Sequence, residues 1–419
     1  MPPITVIVIG AGSRGTTYAE YAIHHPDQVQ VAGVAEPRDH WRAAFAARHA
    51  LPADRVFAGW REVAARPRFA DAAIIATPDA LHAEPAVALA GLGYNLLLEK
   101  PMAPNAADCR RIVAAAQANG ILFGVCHVMR YTTYTKRVKE IVDSGRLGDI
   151  VSLQHLEPVG YWHQAHSYVR GNWRNERDSS PMLLAKSCHD LDWIRHILGR
   201  RCTHVSSFGN LKHLRPENRP PDAADRCLDC ALEPDCPYSA VKIYLGRVRR
   251  GLTGWPVNVL TPDLTEWGVT EALRNGPYGR CVYACDNDVV DHQVVNMQFE
   301  GGATASFTMT AFTRQRDRET RIFGTHGELY GAGRFIEVHD FLTDQTERID
   351  LATASDGSIL SGHGGGDLGL MTHFAGALLS GDPSLILSGP AESLETHLMV
   401  FAAEQARHEA RVVAMADWI

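Results

Sequence analysis

The stretch ITVIVIGAGSRG, residues 4–15, decides how the rest of the chain is read. Residues 5–9 form an unbroken β-branched run, the pattern of a parallel strand covered on both faces. The run enters Gly10-Ala11-Gly12-Ser13-Arg14-Gly15, and a helical pattern follows over 16–24. A second strand over 29–35 ends at Glu36, about 20 residues past the glycines. A lone GxGxxG is a weak signal, but between a strand and a helix, with an acid at this distance, it predicts a dinucleotide site. Gly10 permits the tight turn, Gly12 lets a pyrophosphate approach the backbone, and Gly15 lets the helix pack on the sheet. The helix start, with Ser13 and Arg14, offers N–H groups and a positive dipole end to the phosphates. Glu36 is expected to accept from the adenosine ribose and to repel a 2′-phosphate, which favours NAD over NADP, with Arg38 close enough to offset that charge.

The alternation continues. Strands are expected over 71–77, 95–98 and 121–126, and helices over 80–92 and 105–119. The strands end in Thr77-Pro78, with His82 just beyond, in Glu99-Lys100-Pro101, and at His127. Ligands of such sheets bind beyond the carboxyl ends of the strands, so these residues join the candidate cofactor edge. From about 148 the period changes to two. Strands are expected over 149–157, 204–212, 293–300 and 303–312, with Gly301-Gly302 as a hairpin turn. Further strands are expected over 321–323, 328–330, 335–339 and 346–351. Helices are expected over 133–144, 183–198, 367–379 and 391–407. The fold class is α/β: an N-terminal doubly wound parallel sheet (Rossmann) domain over 1–126, then an α+β domain over 127–419 with a large, mainly antiparallel sheet. A Pro- and Cys-rich insertion occupies about 213–290.

Composition narrows the function classes. The chain has 419 residues, 45% hydrophobic and 21% charged, with a net charge of −7. That is ordinary globular composition without the basic footprint of a nucleic-acid binder. No apolar run is long enough to cross a membrane, and the N-terminal apolar stretch leads into glycines without a basic leader. Nine cysteines, an odd number, point to reduced thiols and a cytoplasmic location.

Several polar residues fit a catalytic cleft. Lys100, at a strand end beside Glu99, can bind a substrate hydroxyl and help take its proton. On one helix over 183–198 (LLAKSCHDLDWIRHIL), Lys186, His189 and Asp192 or Trp193 share a side, so His189 can act as acid or base with Asp192 near enough to orient it. Glu157, Tyr161, Trp162, His163, His166, Tyr168, Arg170, Trp173 and Arg174 crowd one loop, suited to stacking on a sugar and pairing with an anionic group. His363, in Gly362-His363-Gly364-Gly365-Gly366, could reach the substrate from another side. Cys227-x2-Cys230-x5-Cys236 suits a structural zinc ion, its fourth ligand drawn from Cys281, Cys285, Cys202 or His213, with Cys281 first. The spacing lacks the C-x2-C-x2-C core of a common iron–sulfur site.

Together Gly10-x-Gly12-x-x-Gly15, Thr77-Pro78 with His82, Glu99-Lys100-Pro101, and His189 with Asp192 resemble the Gfo/Idh/MocA oxidoreductase family across most of the chain. The resemblance implies hydride transfer between a nicotinamide and a sugar or polyol, with Lys100 the catalytic lysine and His189 the acid/base histidine. It also implies a small carbohydrate substrate, a homo-oligomer through the C-terminal sheet, and a subgroup carrying the Cys-rich insertion. One departure stands out: the family usually has an aspartate four residues before the histidine, where this chain has Ala185 followed by Lys186. A cation beside His189 would lower its pKa and attract an anionic substrate. The first expectation is a carbohydrate dehydrogenase. The alternative is a glycosidase that oxidises, eliminates, hydrates and re-reduces with catalytic NAD. A non-catalytic NAD-binding regulator is a third reading.

Overall fold

The structure, a computed structural model, describes residues 2–351 and 362–419, with side chains described from 364 onward in the second segment. Six parallel strands form the first sheet: β1 (Ile4–Ile9), β2 (Val29–Ala35), β3 (Val56–Phe57), β4 (Ala72–Ile75), β5 (Asn95–Leu98) and β6 (Phe123–Val125). Their order, β3-β2-β1-β4-β5-β6, is that of a dinucleotide-binding sheet. The β-branched run explains why β1 is central. Ile7 and Ile9 pack into one hydrophobic layer and Val6 and Val8 into the other, so both faces are buried. Strand β3 and the helices Asp39–Arg48 and Trp60–Ala64 were not expected from the sequence. β3 has two residues, and each of these helices buries one side chain, Phe45 and Val63, so no periodic stripe marks them.

The second sheet has nine strands. After β7 (Ile150–Pro158) come β8 (Cys202–Asn210), β9 (His292–Phe299), β10 (Thr304–Thr310), β11 (Glu319–Gly324), β12 (Gly327–Gly331), β13 (Phe335–Asp340), β14 (Gln345–Asp350) and β15 (Val413–Ala414). The order is β14-β13-β12-β11-β7-β10-β9-β8-β15. It is mainly antiparallel, but β10 runs parallel to β7, Thr304 facing Ser152 and Phe307 facing His155. The chain leaves β7 for the helices, β8 and the insertion before returning, and that long excursion allows a parallel pairing. Gly301 and Gly302, at φ +79° and +88°, make the turn that joins β9 to β10. One sheet face packs on the helices Cys188–Leu198 and Pro390–Glu409. The other is open and shallow, lined by Gln154, Ser206, Asn296 and Ser306.

The two parts share packing. Leu370, Met371 and Phe374, from the helix Gly362–Ser380, complete the hydrophobic layer that holds Val6, Val8 and Leu97. A buried ion pair joins them again. Arg130, in the turn after β6, donates from Nε and Nη2 to the two oxygens of Asp192 at 2.8 Å each, and from Nη1 to Glu392 at 2.5 Å. The Asp192 carboxylate also accepts from Thr396 at 3.1 Å. The expectation that Asp192 orients His189 is therefore corrected, because Asp192 is committed to Arg130. The expected single helix over 183–198 is two helices, Met182–Ala185 and Cys188–Leu198. Lys186 and Ser187 make the turn between them, their N–H groups still bonded to the Met182 and Leu183 carbonyls at 2.8 and 3.0 Å.

The described residues contain no helix long and apolar enough to cross a membrane, and their nine cysteines are all free. Replacing Arg130 by Met leaves the Asp192 carboxylate buried without its main partner. A loss of about 3–5 kcal/mol is expected in denaturant unfolding. A loss below about 1 kcal/mol would mean that the pair does not fasten the two parts.

Candidate active site

The glycine turn has the geometry its sequence demands. Gly10 has φ +94°, and a Cβ there would stand 2.6 Å from the Ala76 carbonyl oxygen. A Cβ on Gly15 would stand 2.0 Å from the Gly10 carbonyl oxygen, so the helix can pack this closely only without a side chain. At Gly12 the first obstacle is Arg38 Nη2 at 3.6 Å, which leaves room for a ligand against the backbone. Ser13 is exposed at the start of the following helix. Glu36 is 2% exposed and accepts from Ala11 N at 2.9 Å, Arg38 N at 3.0 Å and Arg38 Nε at 2.7 Å. Burial alone would raise its carboxyl, but the bonds from Arg38 and Ala11 outweigh burial and hold it below the usual range.

Other expected cofactor residues act as fasteners. Arg14 donates to Glu99 at 2.7 Å, to Asp367 at 2.5 Å and to the Tyr18 hydroxyl at 2.5 Å, tying the glycine turn to β5 and to the helix Gly362–Ser380. Glu99 also accepts from Tyr18 at 2.8 Å. His82 is buried and bridges the Pro101 carbonyl at 2.7 Å and the Thr77 carbonyl at 2.8 Å. It therefore joins the ends of β4 and β5 rather than lining the ligand edge. Thr77 donates to the Leu81 carbonyl at 3.1 Å beside exposed Pro78. His127 is fully buried just past the end of β6, 3.6 Å from Asp192 and in ring contact with His189 and His397. Burial pushes its pKa down to about 3 despite Asp192, so the ring is neutral.

Lys100 Nζ donates to the Ala185 carbonyl oxygen at 2.7 Å. The backbone thus holds the lysine where the side chain at position 185 offers nothing polar. His189, 7% exposed, packs edge-on to His127 with ring centroids 5.8 Å apart. Asp79, which the sequence reading passed over, also belongs to this site. It is buried within reach of the charges on His82 and Lys100, and it accepts from Trp173 and from Ser180 Oγ at 3.4 Å. Burial raises its pKa, against the pull of His82 and Lys100.

The expected substrate residues divide into three groups. Lys186 pairs with Glu157 at 3.2 Å, and Arg318 pairs with Glu157 at 2.8 Å and donates to both oxygens of Asp190. His155 joins Asp190 at 3.1 Å. Lys186 and Glu157 therefore spend their charge on each other and on Arg318, which sequence reading missed because it lies 161 positions from Glu157 (318 − 157). Tyr161, His163, Tyr168 and Trp173 form the second group: Tyr161 and Trp173 are 39% exposed, and His163 feels the charges of Lys186 and Lys100. His166 and Arg170 form the third, and they turn away into the insertion. His166 contacts the Tyr244 hydroxyl at 2.8 Å, and Arg170 donates to the carbonyls of Arg280 and Tyr238 at 2.7 and 2.9 Å. Both come from the π-helical turn Gln164–Arg170, and His166 meets the Trp255 ring that His163 also contacts. The His363 side chain lies outside the described residues.

Family models match both parts: an oxidoreductase family with an NAD-binding Rossmann fold over residues 4–127, and its C-terminal α/β domain over 139–415. The chain belongs to the Gfo/Idh/MocA family. An inositol 2-dehydrogenase of Streptomyces avermitilis is 31% identical over 211 residues, 48% of this chain and 55% of that protein. A 2,7-anhydro-N-acetylneuraminate hydratase of Mediterraneibacter gnavus is 30% identical over 144 residues, 34% of this chain and 37% of that protein. The match thus spans little more than a third of the latter relative's length. A levoglucosan dehydrogenase solved with NADH shares the fold, with a TM-score of 0.70 at 18% identity, covering 98% of this chain and 99% of that one.

In this Gfo/Idh/MocA chain, buried neutral histidines give acid sensitivity. Burial lowers His127 and His166 to about 3 and His397 to about 4, from an ordinary 6.5. Between those values the unfolded chain binds more protons than the folded one, so stability falls as pH drops below 6.5. Thermal scans across this range should show a falling midpoint. A midpoint independent of pH would contradict the neutral assignments. Asp79→Asn should keep the fold but shift the acidic limb of the kcat/KM profile, whereas an unmoved profile removes Asp79 from the chemistry.

Proposed function

We propose that this chain is an NAD-dependent oxidoreductase that moves hydride between nicotinamide and a carbon of a sugar or polyol. The observation that carries this reading is Lys100, fixed at the carboxyl edge of the nucleotide-binding sheet by the Ala185 carbonyl, with His189 at the start of the next helix. The open backbone at Gly12 and the exposed Ser13 fit a dinucleotide pyrophosphate, and Glu36 fits the ribose. Bound there, NAD supplies the hydride acceptor. Lys100 holds the substrate hydroxyl, and its ammonium stabilises the alkoxide as it forms. His189 takes the proton, and Asp79 beside Lys100 provides a second acid/base group.

Tyr161 and Trp173 offer partly exposed rings for the apolar face of a sugar, and His163 Nδ1 finds no hydrogen-bond partner among the described residues. With Lys186 and Arg318 occupied by Glu157 and Asp190, a neutral ring fits better than a sugar acid. The preference for NAD rests on Glu36, with Arg38 the group that would admit a 2′-phosphate. Removing it, in Arg38→Ala, should widen the NAD preference several-fold. The open face of the nine-stranded sheet, with Phe208 64% exposed, suits a homo-oligomer, which light scattering would reveal.

A second reading has its own support. The carbonyl at position 185 leaves Lys100 without a carboxylate partner there, and Asp79 and His163 supply the extra acid and base that a redox-neutral glycosidase needs. Sugars and matching aryl glycosides would be offered together, following NADH and aglycone. NADH without aglycone supports the dehydrogenase, and aglycone in excess of NAD supports the glycosidase. Lys100→Met should lower kcat by about 100-fold or more with NAD affinity kept, and unchanged turnover would contradict both.

A further inference from the structure

The insertion gathers four cysteines around one cavity. Cys227, Cys230, Cys236 and Cys281 line one cavity of about 260 Å³, together with Arg170. An isolated bridge between Arg226 and Arg280, with Cys281 N donating to the Asp225 carbonyl at 2.8 Å, brings the distant Cys281 to the three clustered cysteines. The other candidates for a fourth ligand point elsewhere. Cys285 Sγ donates to the Cys281 carbonyl at 3.2 Å, Cys202 Sγ to the His204 carbonyl at 3.5 Å, and His213 contacts the Tyr283 hydroxyl at 3.0 Å.

Arg170 is 1% exposed, and its Nη2 donates to Cys227 Sγ at 3.4 Å. Its Nη1 is buried and finds no hydrogen-bond partner among the described residues. A buried guanidinium bonded to Cys227 in the cavity that the four thiols line with Glu233 and Asp235, and with a donor to spare, is the complement of a group that carries negative charge on sulfur. Its other two bonds go to the Arg280 and Tyr238 carbonyls, which fix its direction.

The spacing of the sulfurs bears on which metal suits them. Zinc bound tetrahedrally at about 2.3 Å draws its four sulfurs to within about 3.8 Å of one another. No trio of these cysteines has its sulfurs within 4.8 Å, a test that among the described residues only Glu176, Glu404 and His408 pass. Thiolates that sit on different irons of a cluster are spread wider, and the inorganic sulfides fill the space between them. We propose that Cys227, Cys230, Cys236 and Cys281 hold an iron–sulfur cluster, with Arg170 balancing its charge. The sequence spacing spoke against a cluster, but that rule concerns one continuous motif, and here the fourth thiol arrives from 45 residues beyond the third (281 − 236). The cluster would be a clip on the insertion, whose core includes Ala165 and Val169 from the turn that carries His163 and Tyr168 to the cleft.

The test uses the full chain, purified without oxygen and then incubated with iron, sulfide and thiol reductant. Iron, acid-labile sulfide and zinc are measured, and the visible spectrum is recorded before and after dithionite. Iron and sulfide in equal amounts, about two to four each per chain, with visible absorption that bleaches on reduction, is the expected result. Cys230→Ser should cut both at least about fivefold, and Arg170→Met should keep the iron but shift the reduction potential. Stoichiometric zinc without sulfide, or metal-free thiols after reconstitution, would overturn the proposal, whatever the outcome for the dehydrogenase reading.

Discussion

The buried pairing of Arg130 with Asp192 is the constraint on which the site depends. Both groups are out of water, so their attraction is strong, and so is the cost of misplacing either. Such a pair adds little net stability compared with an apolar contact of the same size. What it does is forbid sliding. Arg130 follows the last strand of the nucleotide sheet, while Asp192 lies on the helix that begins at Cys188 and carries His189. Glu392 and Thr396 fasten the same point to the helix Pro390–Glu409. Three elements thus meet in one register, and His189 is held near Lys100 by an interaction that touches neither.

The same logic shapes the cleft. Lys186, Arg318, Glu157, Asp190 and His155 form a nearly neutral buried network behind it, leaving Lys100 as the cation presented at the sheet edge. Its anchor at Ala185 is a carbonyl, which accepts a hydrogen bond but cannot take a proton. In the proposed reaction, proton movement falls to His189 and to Asp79, whose burial favours its neutral acid. Asp79 also meets Trp173 and Ser180, which fix where the acid sits.

Much of this was legible in the sequence because it is local. The glycine turn, the Glu99-Lys100 strand end and the alternation of strands and helices depend on near neighbours and fixed spacing. What escaped the reading depends on distant partners. Asp192 looked like a partner for His189 until Arg130, 62 positions earlier, claimed it. Lys186 was read as a cation beside His189, but it pairs with Glu157, 29 positions earlier (186 − 157), at 3.2 Å. Arg170 and His166 looked like cleft residues because they crowd the same stretch as His163, yet their hydrogen bonds go to Tyr244, Arg280 and Tyr238 in the insertion. Asp79 was a plain oversight, for it directly follows Thr77-Pro78 at a strand end on the ligand edge.

The most direct measurement of the central claim is the fate of a substrate deuterium. Perdeuterated sugars and polyols would be incubated with the protein and NAD, and the cofactor analysed by mass spectrometry. Deuterium on the nicotinamide ring of the product, lost in Lys100→Met, is the result this account predicts. Substrate turnover that leaves both the cofactor and its exchanged pool free of deuterium would contradict it.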